Sequence, residues 1–504
     1  MKTEKLILNY QRRGIKLSVS DNKLHFSAPQ NILTDEDKDI LKKNKKEIIK
    51  FLLDHTESEI IVDEEDKYEK FPLTDIQLSY LVGQDNVYKF GGTNCKIYTE
   101  IEYEQIELNK AQYAWEQVIK YNDMLHAVIN QEGTQEILSS YTVPQIVFSD
   151  LSDMENAEVI IAQKRESLTK KQYRVGTWPL FDVEITKLKN KYILHISLDM
   201  LVADFVSINV ILNEFEEVYY NGKLSFKQQL SFRDIVLYKE SLKKTVNGKK
   251  KYEEDKKYWE KRIPRLSEVP EFPVVEQQEK EVLFTQYKFF LESDEYEKLC
   301  DLAKNFQLTP SSLILTAYAE ALRKISKNQS FCIDVTMVDR PPFHPSIDRV
   351  IGDFTTANIL EVEDLDYTNY FEKAKKIQHR LWEDLSHNSF SSKEVLREMG
   401  KRIKKEITVP AVYTSTLGAV KYSNQRKGKI LYTISQTPQV LIDCQVLELE
   451  KGVRLNWDVR LGVFPKGLIE EAFESFRELI YRIIDNNTLD ISLESILPKA
   501  VRKI

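Results

Sequence analysis

A strand that turns directly into a helix is the feature of this sequence that most restricts its fold. Residues 192–198 are apolar with the alternation of a strand, and residues 207–219 repeat apolar side chains at helical spacing. Asp199 and Asp204 lie in the turn between them. Two acids at this spacing also arise by chance in a chain with 79 acidic residues, so the spacing alone is weak evidence. The flanking pattern, however, predicts an α/β chain with carboxylates at a strand end.

Two segments near the C-terminal end of the chain also carry polar residues. One runs from Ser435 to Asp443 and contains Pro438, which cannot donate to a strand ladder and therefore predicts an edge or a bulge. An acid, Asp458, follows shortly afterwards, and residues 410–415 upstream end in a threonine and a serine. Carboxyls and hydroxyls hold and transfer protons, so these segments are candidates for a site.

These segments resemble the heterocyclization domains of nonribosomal peptide synthetases, a branch of the condensation-domain superfamily. The resembling motifs occur in the family's order between about residues 68 and 490. Beyond the segments already described, they are Phe71-Pro72-Leu73-Thr74, Gly91-Gly92, Trp178-Pro179-Leu180-Phe181-Asp182, Leu230-Ser231-Phe232-Arg233-Asp234, Thr309-Pro310, Gly352-Asp353-Phe354-Thr355 and Pro410-Ala411-Val412-Tyr413-Thr414-Ser415.

The resemblance implies a particular architecture, whereas the pattern of residues alone indicates only mixed α/β sheets. The implied fold has two chloramphenicol-acetyltransferase-like lobes that form a V-shaped pseudo-dimer around a tunnel. Residues 70–262 are expected to form the N-terminal lobe, and residues 263–504 the C-terminal lobe. An acidic linker, residues 59–69, is expected to precede them.

The first 58 residues read as a separate small unit. Two short strands around a turn at Asp21-Asn22 predict a hairpin, and Thr34 predicts the N-cap of a following helix. The unit resembles the N-terminal docking domains of synthetase subunits, which capture the C-terminal tail of the preceding subunit, plausibly by adding it to a sheet edge. The alternative is an ordinary stabilising cap. The residues expected to dock are Ile15, Leu17, Leu24 and Phe26.

The resemblance also implies a reaction. The family joins a carrier-bound acyl or peptidyl thioester to carrier-bound Cys, Ser or Thr, and then closes a thiazoline or oxazoline ring with loss of water. Loss of hydroxide needs a proton on oxygen, and forming C=N needs a proton taken from nitrogen, so one carboxyl beside a hydroxyl suffices. The family's catalytic threonine and aspartate fall on Thr414 and Asp443.

Other motif residues receive supporting roles. Asp199, Ser207, Gln439 and Ser415 are expected to support the site. Asp204 is expected to support it structurally, through an ion pair with Arg340. Gln439 is expected either to orient Asp443 and the substrate or to serve packing.

Three other functions stay open at this stage. The chain could condense without cyclising, or it could be an idle docking and gating module. The spacing His195 to Asp199 also occurs in coenzyme-A-dependent acyltransferases, where such a histidine is a general base. A histidine in mid-strand is more consistent with a structural role. The sequence identifies neither the acceptor, although Cys is the commoner one, nor the upstream donor.

Composition excludes several classes of protein. The four cysteines have no paired spacing, which argues against a zinc site, so no metal is expected. No glycine-rich phosphate loop appears, and the expected phosphopantetheine arms arrive on carrier proteins. No apolar run of membrane length and no signal core occur, and the net charge of −7 disfavours nucleic acid. We expect a cytoplasmic protein with four partners: a donor carrier, the tail of the preceding subunit, an acceptor peptidyl carrier and an adenylation domain.

Overall fold

The fold is described from a computed structural model of the chain. The described residues are Leu6, Tyr10, 15–20, 23–27, 34–54, 60, 62, 65–226, 229–275, 282–340, 344, 346–364, 369–418, 426–449 and 451–485. The predicted hairpin turn at 21–22, part of the acidic linker and the last residues of the C-terminal lobe, 486–504, lie outside them.

Strands and helices alternate along the described chain. The strands are β1 Lys16–Ser20, β2 Lys23–Ser27, β3 Phe71–Pro72, β4 Lys96–Tyr103, β5 Ala127–Ile129, β6 Thr134–Ile137, β7 Val147–Asp150, β8 Phe181–Lys187, β9 Tyr192–Asp199, β10 Phe284–Glu292, β11 Phe331–Val338, β12 Thr355–Val362, β13 Ala411–Ser415, β14 Lys429–Gln436, β15 Ile442–Leu449 and β16 Gly452–Arg460. The helices are α1 Asp35–Lys43, α2 Lys45–Asp54, α3 Asp75–Gly83, α4 Leu108–Tyr121, α5 Ala157–Lys170, α6 Phe205–Asn221, α7 Phe232–Lys244, α8 Val246–Arg262, α9 Ser293–Asn305, α10 Pro310–Ile325, α11 Tyr370–Leu385, α12 Ser392–Ile403 and α13 Leu468–Asp485.

The first lobe is built on a five-stranded sheet with the order β14-β4-β9-β8-β7. One face of it belongs to a large apolar core that includes Ile97 and Ile101 of β4, Trp115 of α4 and Phe215 of α6. The helices α4 and α6 therefore cover this face because each presents an apolar stripe to it.

The second lobe is built on a six-stranded sheet with the order β10-β16-β15-β13-β11-β12. Residues 453–459 of β16 alternate strictly between apolar and polar side chains. Leu455 and Trp457 enter the core beneath α10 and α13, whereas Asn456 and Asp458 point to the opposite face, because successive side chains of a strand alternate. The helices thus cover one face of the sheet, and the other face carries polar groups.

Two elements cross between the halves of the chain. The strand β14 comes from the second half of the sequence but pairs antiparallel with β4 at the edge of the first sheet. Conversely, Trp259 of α8, in the segment expected to close the N-terminal lobe, packs with Ile359 and Met399 of the second lobe. The two lobes therefore exchange segments as well as meeting face to face.

The strand-to-helix turn ties the lobes together. Asp204 caps α6 and accepts hydrogen bonds from the Ser207 amide at 2.7 Å and from Arg340 Nη2 at 3.0 Å. Both partners of this ion pair are buried, with side chains exposed by 1% and 3%. The other arm of Arg340 donates to the carbonyl oxygens of Ile347 and Val350. Asp204 is therefore held as part of the framework.

The N-terminal unit has its own small core. The strands β1 and β2 form an antiparallel hairpin, and Thr34 caps α1 through a reciprocal capping box with Asp37. Of the four residues expected to dock, Ile15 and Leu17 are buried and Leu24 is partly buried, whereas Phe26 is 53% exposed. The buried members stabilise the unit, and Phe26 is left at its surface.

Replacing Asp204 with alanine should destabilise the protein strongly, because it leaves the Arg340 charge buried without its partner. Losing one partner of a buried pair costs about 3–5 kcal/mol. We expect a large fall in soluble yield and in the melting temperature measured by scanning calorimetry. Asp339→Asn, at the half-exposed pair with Lys239, is the matched control and should change little. An Asp204→Ala protein of wild-type stability would refute the framework role.

Candidate active site

A row of polar side chains crosses the face of the second sheet that is turned toward the first lobe. Gln286, Asp458 and Asp443 are neighbours in this row, because Gln286 pairs with Asp458 across β10 and β16, and Asp458 pairs with Asp443 across β16 and β15. The strand β14 of the first sheet lies against it, since Gln286 Nε2 donates to the Thr433 carbonyl oxygen at 2.7 Å. The row therefore lies where the two lobes meet.

Thr414 and Asp443 are in direct contact in this row. The Thr414 Oγ1 hydroxyl donates to Asp443 Oδ1 at 3.1 Å, and it accepts a hydrogen bond from Thr336 Oγ1 at 2.9 Å. Asp443 is 7% exposed, and Thr414 is partly exposed. The parallel pairing of β11, β13 and β15 produces this chain of hydroxyls, because it sets Thr336 beside Thr414. The two residues expected to be catalytic are brought together with a third hydroxyl behind them.

The second oxygen of Asp443 is held by residues that the motifs did not single out. Gln445 Nε2 donates to Asp443 Oδ2 at 2.8 Å and to Ser435 Oγ at 2.6 Å. Ser435 Oγ lies 3.3 Å from the same carboxylate oxygen. Gln445 is on the same strand as Asp443, two residues along, and Ser435 comes from the other lobe's sheet. The orientation of Asp443 is thus fixed from both lobes.

A second buried carboxyl lies directly behind this pair. Asp458 is fully buried and accepts hydrogen bonds from the Ser435 amide and Gln286 Nε2, both at 2.8 Å, and from Asn456 Nδ2 at 3.0 Å. Because these donors satisfy both of its oxygens, Asp458 serves to fix the Ser435 segment against the second sheet.

Burial controls the protonation of both acids. It raises the pKa of Asp443 to about 6, against the hydrogen bonds from Gln445, Thr414 and Ser435, which act to lower it. Burial also raises the pKa of Asp458 to about 7, and the nearby charge of Asp443 adds to that rise. A carboxyl with a pKa near neutrality can both accept and return a proton at physiological pH, which suits general acid and base catalysis.

Two of the expected supporting residues lie elsewhere. Gln439 adopts a left-handed backbone conformation with φ of 67°, and its amide donates to the Phe90 carbonyl oxygen at 2.7 Å. The hydrogen bonds to the Asp443 carboxyl within the described chain come instead from Thr414, Ser435 and Gln445. Ser415 lies one residue after Thr414 on β13, so strand alternation turns it to the opposite face of the sheet.

The remaining acid of the first motif is enclosed within the first lobe. Asp199 is fully buried at the end of β9, where it accepts from Asn94 Nδ2 and from the Leu201 amide, both at 2.9 Å. Burial raises the pKa of Asp199 to about 7, and the neighbouring Lys96 charge opposes that rise. These bonds hold the turn that leads to Asp204, so Asp199 shapes the turn and is not brought to Asp443.

His195 is a structural residue of β9. Its ring nitrogens lie 2.7 Å from the Tyr98 hydroxyl and 3.0 Å from the Thr186 hydroxyl, and the ring is fully buried. Burial lowers the pKa of His195 to about 3, and the charges of Lys164 and Arg165 lower it further. Both nitrogens are occupied, which leaves none free to act as a general base in the acyltransferase manner.

The polar residues missed by motif reasoning had a detectable signal. Gln445 and Asn456 occupy polar positions of strands that otherwise alternate with core residues. A polar residue at every second position of a strand marks a polar face. Among the described residues, no group of three or more His, Cys, Asp or Glu side chains could hold a metal ion. Nor does any described helix have the length and apolarity needed to span a membrane.

Comparison with known proteins agrees with this architecture. Residues 67–503 match the condensation-domain family, so the chain belongs to that family, and residues 4–54 match the TubC N-terminal docking domain. The EpoB NRPS cyclization-docking bidomain from Sorangium cellulosum has a TM-score of 0.81 at 27% identity, covering 97% of this chain and 98% of that one. The two-lobed fold expected from the resemblance is confirmed.

Two curated relatives are much longer proteins. Pyochelin synthetase PchF of Pseudomonas aeruginosa is 27% identical over 494 residues, which is 96% of this chain and 27% of the relative. Phenyloxazoline synthase MbtB of a Mycobacterium species is 28% identical over 413 residues, which is 80% of this chain and 34% of the relative. The chain thus spans between a quarter and about a third of the length of these relatives.

Replacing Asp443 with asparagine should stabilise the protein above about pH 6 and have no such effect below about pH 4. The carboxyl has a pKa of about 6 in the folded chain, above its ordinary value of 3.8, so folding favours its protonated form. Ionising it as the pH rises between these values costs folding free energy, on the order of 2 kcal/mol, and an amide avoids that cost.

Melting temperatures of Asp443→Asn and wild type across this pH range test the expectation. Asp339→Asn, which removes a half-exposed carboxyl, is the control and should show no gain at any pH. A gain for Asp443→Asn that is independent of pH would show that burial does not raise the pKa of Asp443.

Proposed function

We propose that this chain joins a carrier-bound acyl or peptidyl thioester to carrier-bound Cys, Ser or Thr, and then closes a thiazoline or oxazoline ring by cyclodehydration. The observation that carries the proposal is the hydrogen bond from the Thr414 hydroxyl to the buried carboxyl of Asp443, 3.1 Å long, between the lobes. A purely positioning module would gain nothing from ionisable groups arranged in this way.

Amide formation asks little of the protein. The thioester is already activated, so holding the acceptor amine beside it supplies much of the reduction in barrier. Within the first lobe, Asp199 and His195 are both engaged in internal hydrogen bonds. The proposal therefore assigns the condensation step to positioning by the two lobes, without a dedicated base from these residues.

Ring closure is the step that needs proton transfer. The acceptor thiol or hydroxyl attacks the new amide carbon, its proton passes to the Asp443 carboxylate, and the carbonyl becomes the hydroxyl of a hemiaminal. The C–O bond then breaks with a proton from the Asp443 carboxyl, so that the hydroxyl leaves as water. The nitrogen gives up its proton to the same carboxylate as the C=N bond forms. Thr414 donates to Asp443 and is itself fixed by Thr336, so it keeps the carboxyl aimed through these transfers.

The relatives support ring formation by their names alone. One is named a phenyloxazoline synthase, and the matching solved structure is described as a cyclization-docking bidomain. The chain covers only part of the curated relatives, so substrates and products remain those of this proposal.

The partners follow from the same chemistry. Phosphopantetheine arms on a donor carrier and an acceptor peptidyl carrier bring the two substrates to the site between the lobes, and an adenylation domain loads the acceptor. The N-terminal unit receives the tail of the preceding subunit, and the match of residues 4–54 to a docking domain supports this role.

Intact mass spectrometry of the acceptor carrier tests the reaction directly. Mixing the protein with a loaded donor carrier and a Cys-loaded acceptor carrier should yield a product lighter than the linear amide by one water. Thr414→Val and Asp443→Asn should accumulate the linear amide, each with ring formation reduced about 100-fold or more, in the range seen for lost proton-transfer groups. Ser415→Ala, whose side chain faces away, is the matched control and should form the ring normally.

The outcomes separate the competing functions. A linear product from wild type with Cys, Ser and Thr acceptors would establish condensation without cyclisation. No transfer from wild type with matched carriers would favour the docking and gating module.

The docking role gives a separate prediction. Phe26→Ser should weaken binding of a labelled peptide from the C-terminal tail of the donor subunit at least tenfold, because burying an aromatic side chain contributes about 1.5–3 kcal/mol. Fluorescence anisotropy measures the binding. The melting temperature should not change, since Phe26 is 53% exposed. If Phe26→Ser binds the peptide as wild type does, the tail binds elsewhere.

A further inference from the structure

One buried carboxyl at the edge of the polar row has no part in the chemistry above. Asp334 lies on β11, two residues before Thr336 and on the same face of the sheet. Its neighbour on β13 is Val412, and the neighbour of Val412 on β15 is Asp443. Asp334 and Asp443 therefore flank Val412 in one row, with about 10 Å between their Cα atoms at the usual spacing of strands.

This spacing leaves room for a reacting group between the two carboxyls. Val412 is apolar and buried, so it forms a floor that offers no hydrogen bond of its own. Asp443 and Thr414 lie on one side of this floor, and Asp334 lies on the other. A planar amide above Val412 would present its nitrogen to one carboxyl and its carbonyl oxygen to the other.

The Oδ1 atom of Asp334 is buried and has no hydrogen-bond partner among the described residues, although the residue as a whole is partly exposed. Buried polar atoms are nearly always paired, and an unpaired one at a site calls for an explanation. A substrate atom that pairs with it when bound is a sufficient one.

The surroundings of Asp334 favour its neutral form. Burial raises the pKa of Asp334 to about 7, backbone hydrogen bonds from Asn358 and Val335 act against this, and the charge of Asp443 raises it further. The groups that face it are Asp443 from β15, the Tyr80 hydroxyl from α3 and the apolar Val412 and Ile359 from the adjacent strands. A carboxyl kept neutral in this way is a hydrogen-bond donor.

We propose that Asp334, in its protonated form, donates a hydrogen bond to the carbonyl oxygen of the amide as the acceptor side chain attacks it. The negative charge that develops on this oxygen is then stabilised by a fixed donor, as in an oxyanion hole. The proton stays on Asp334 throughout, while the proton transfers of ring closure run through Asp443. This assignment rests on the proposed ring-forming function and names a residue that touches the reacting carbonyl.

Two variants distinguish a donor from a structural acid. Asp334→Asn keeps an N–H donor at the same place, so it should form the ring within a few-fold of the wild-type rate near neutral pH. Asp334→Leu has the same branching and no donor, so its ring formation should fall about 100-fold, the lower end of the loss seen for a removed oxyanion donor. Both variants should make the linear amide at the wild-type rate. Asp339→Asn, at the end of the same segment, is the control and should behave as wild type.

The pH dependence supplies a readout that does not depend on the leucine variant folding. As the pH rises from about 6 to about 8.5, wild type loses the Asp334 proton and hence the donor, whereas an amide does not titrate. The ratio of the ring-formation rate of wild type to that of Asp334→Asn should therefore fall about tenfold or more over this range. Time courses of ring and linear product by intact mass spectrometry give both rates.

The proposal fails if Asp334→Leu, folded by calorimetry, closes the ring as fast as wild type. It also fails if Asp334→Asn is as defective as Asp334→Leu, or if the rate ratio is constant with pH. A wild-type protein that makes only linear amide overturns the ring-forming function itself, and the role of Asp334 falls with it. That result is seen in the wild-type sample alone and is not confused with a defect confined to the variants.

Discussion

The pairing of β14 with β4 is the constraint on which the site depends. The strand belongs by sequence to the second half of the chain, and by hydrogen bonding to the sheet of the first lobe. It brings Ser435 within hydrogen-bond distance of both Asp443 and Asp458. Because β15 follows shortly after β14 along the chain, the two sheets cannot separate without breaking this ladder. The geometry of the site is therefore set by the contact between lobes.

Buried acids are costly, and this site contains three of them. Burial raises the pKa of Asp334, Asp443 and Asp458 to between about 6 and about 7, and the charge of Asp443 raises the pKa of the other two. The network of donors around Asp443 and Asp458 offsets part of the cost of burial, because hydrogen bonds to the charged form favour it. A balance between these effects leaves carboxyls able to change protonation near neutral pH. That property is useful for dehydration and unfavourable for stability.

The two aspartates of the strand-to-helix turn have a different role from the acids of the second sheet. Asp204 caps α6 and pairs with Arg340 across the lobes, and Asp199 is enclosed by donors of its own lobe. They sit at the most recognisable motif of the sequence, yet every contact they make is with the framework. The chemistry lies instead on a sheet whose helix-covered face holds Trp457 and Tyr413 in an apolar core. A rigid face of this kind keeps the opposite, polar face in register.

The sequence by itself determined the elements whose information is local. Alternation placed β9, the Thr34 capping box follows from residues four positions apart, and the family motifs selected Thr414 and Asp443. It did not determine that Gln445 and Ser435, in place of Gln439, orient Asp443, nor that Thr336 lies behind Thr414. Those contacts join strands that are distant in the chain or belong to different lobes. Alternation tells which face of a strand a side chain occupies, but only the pairing of the strands decides what lies beside it.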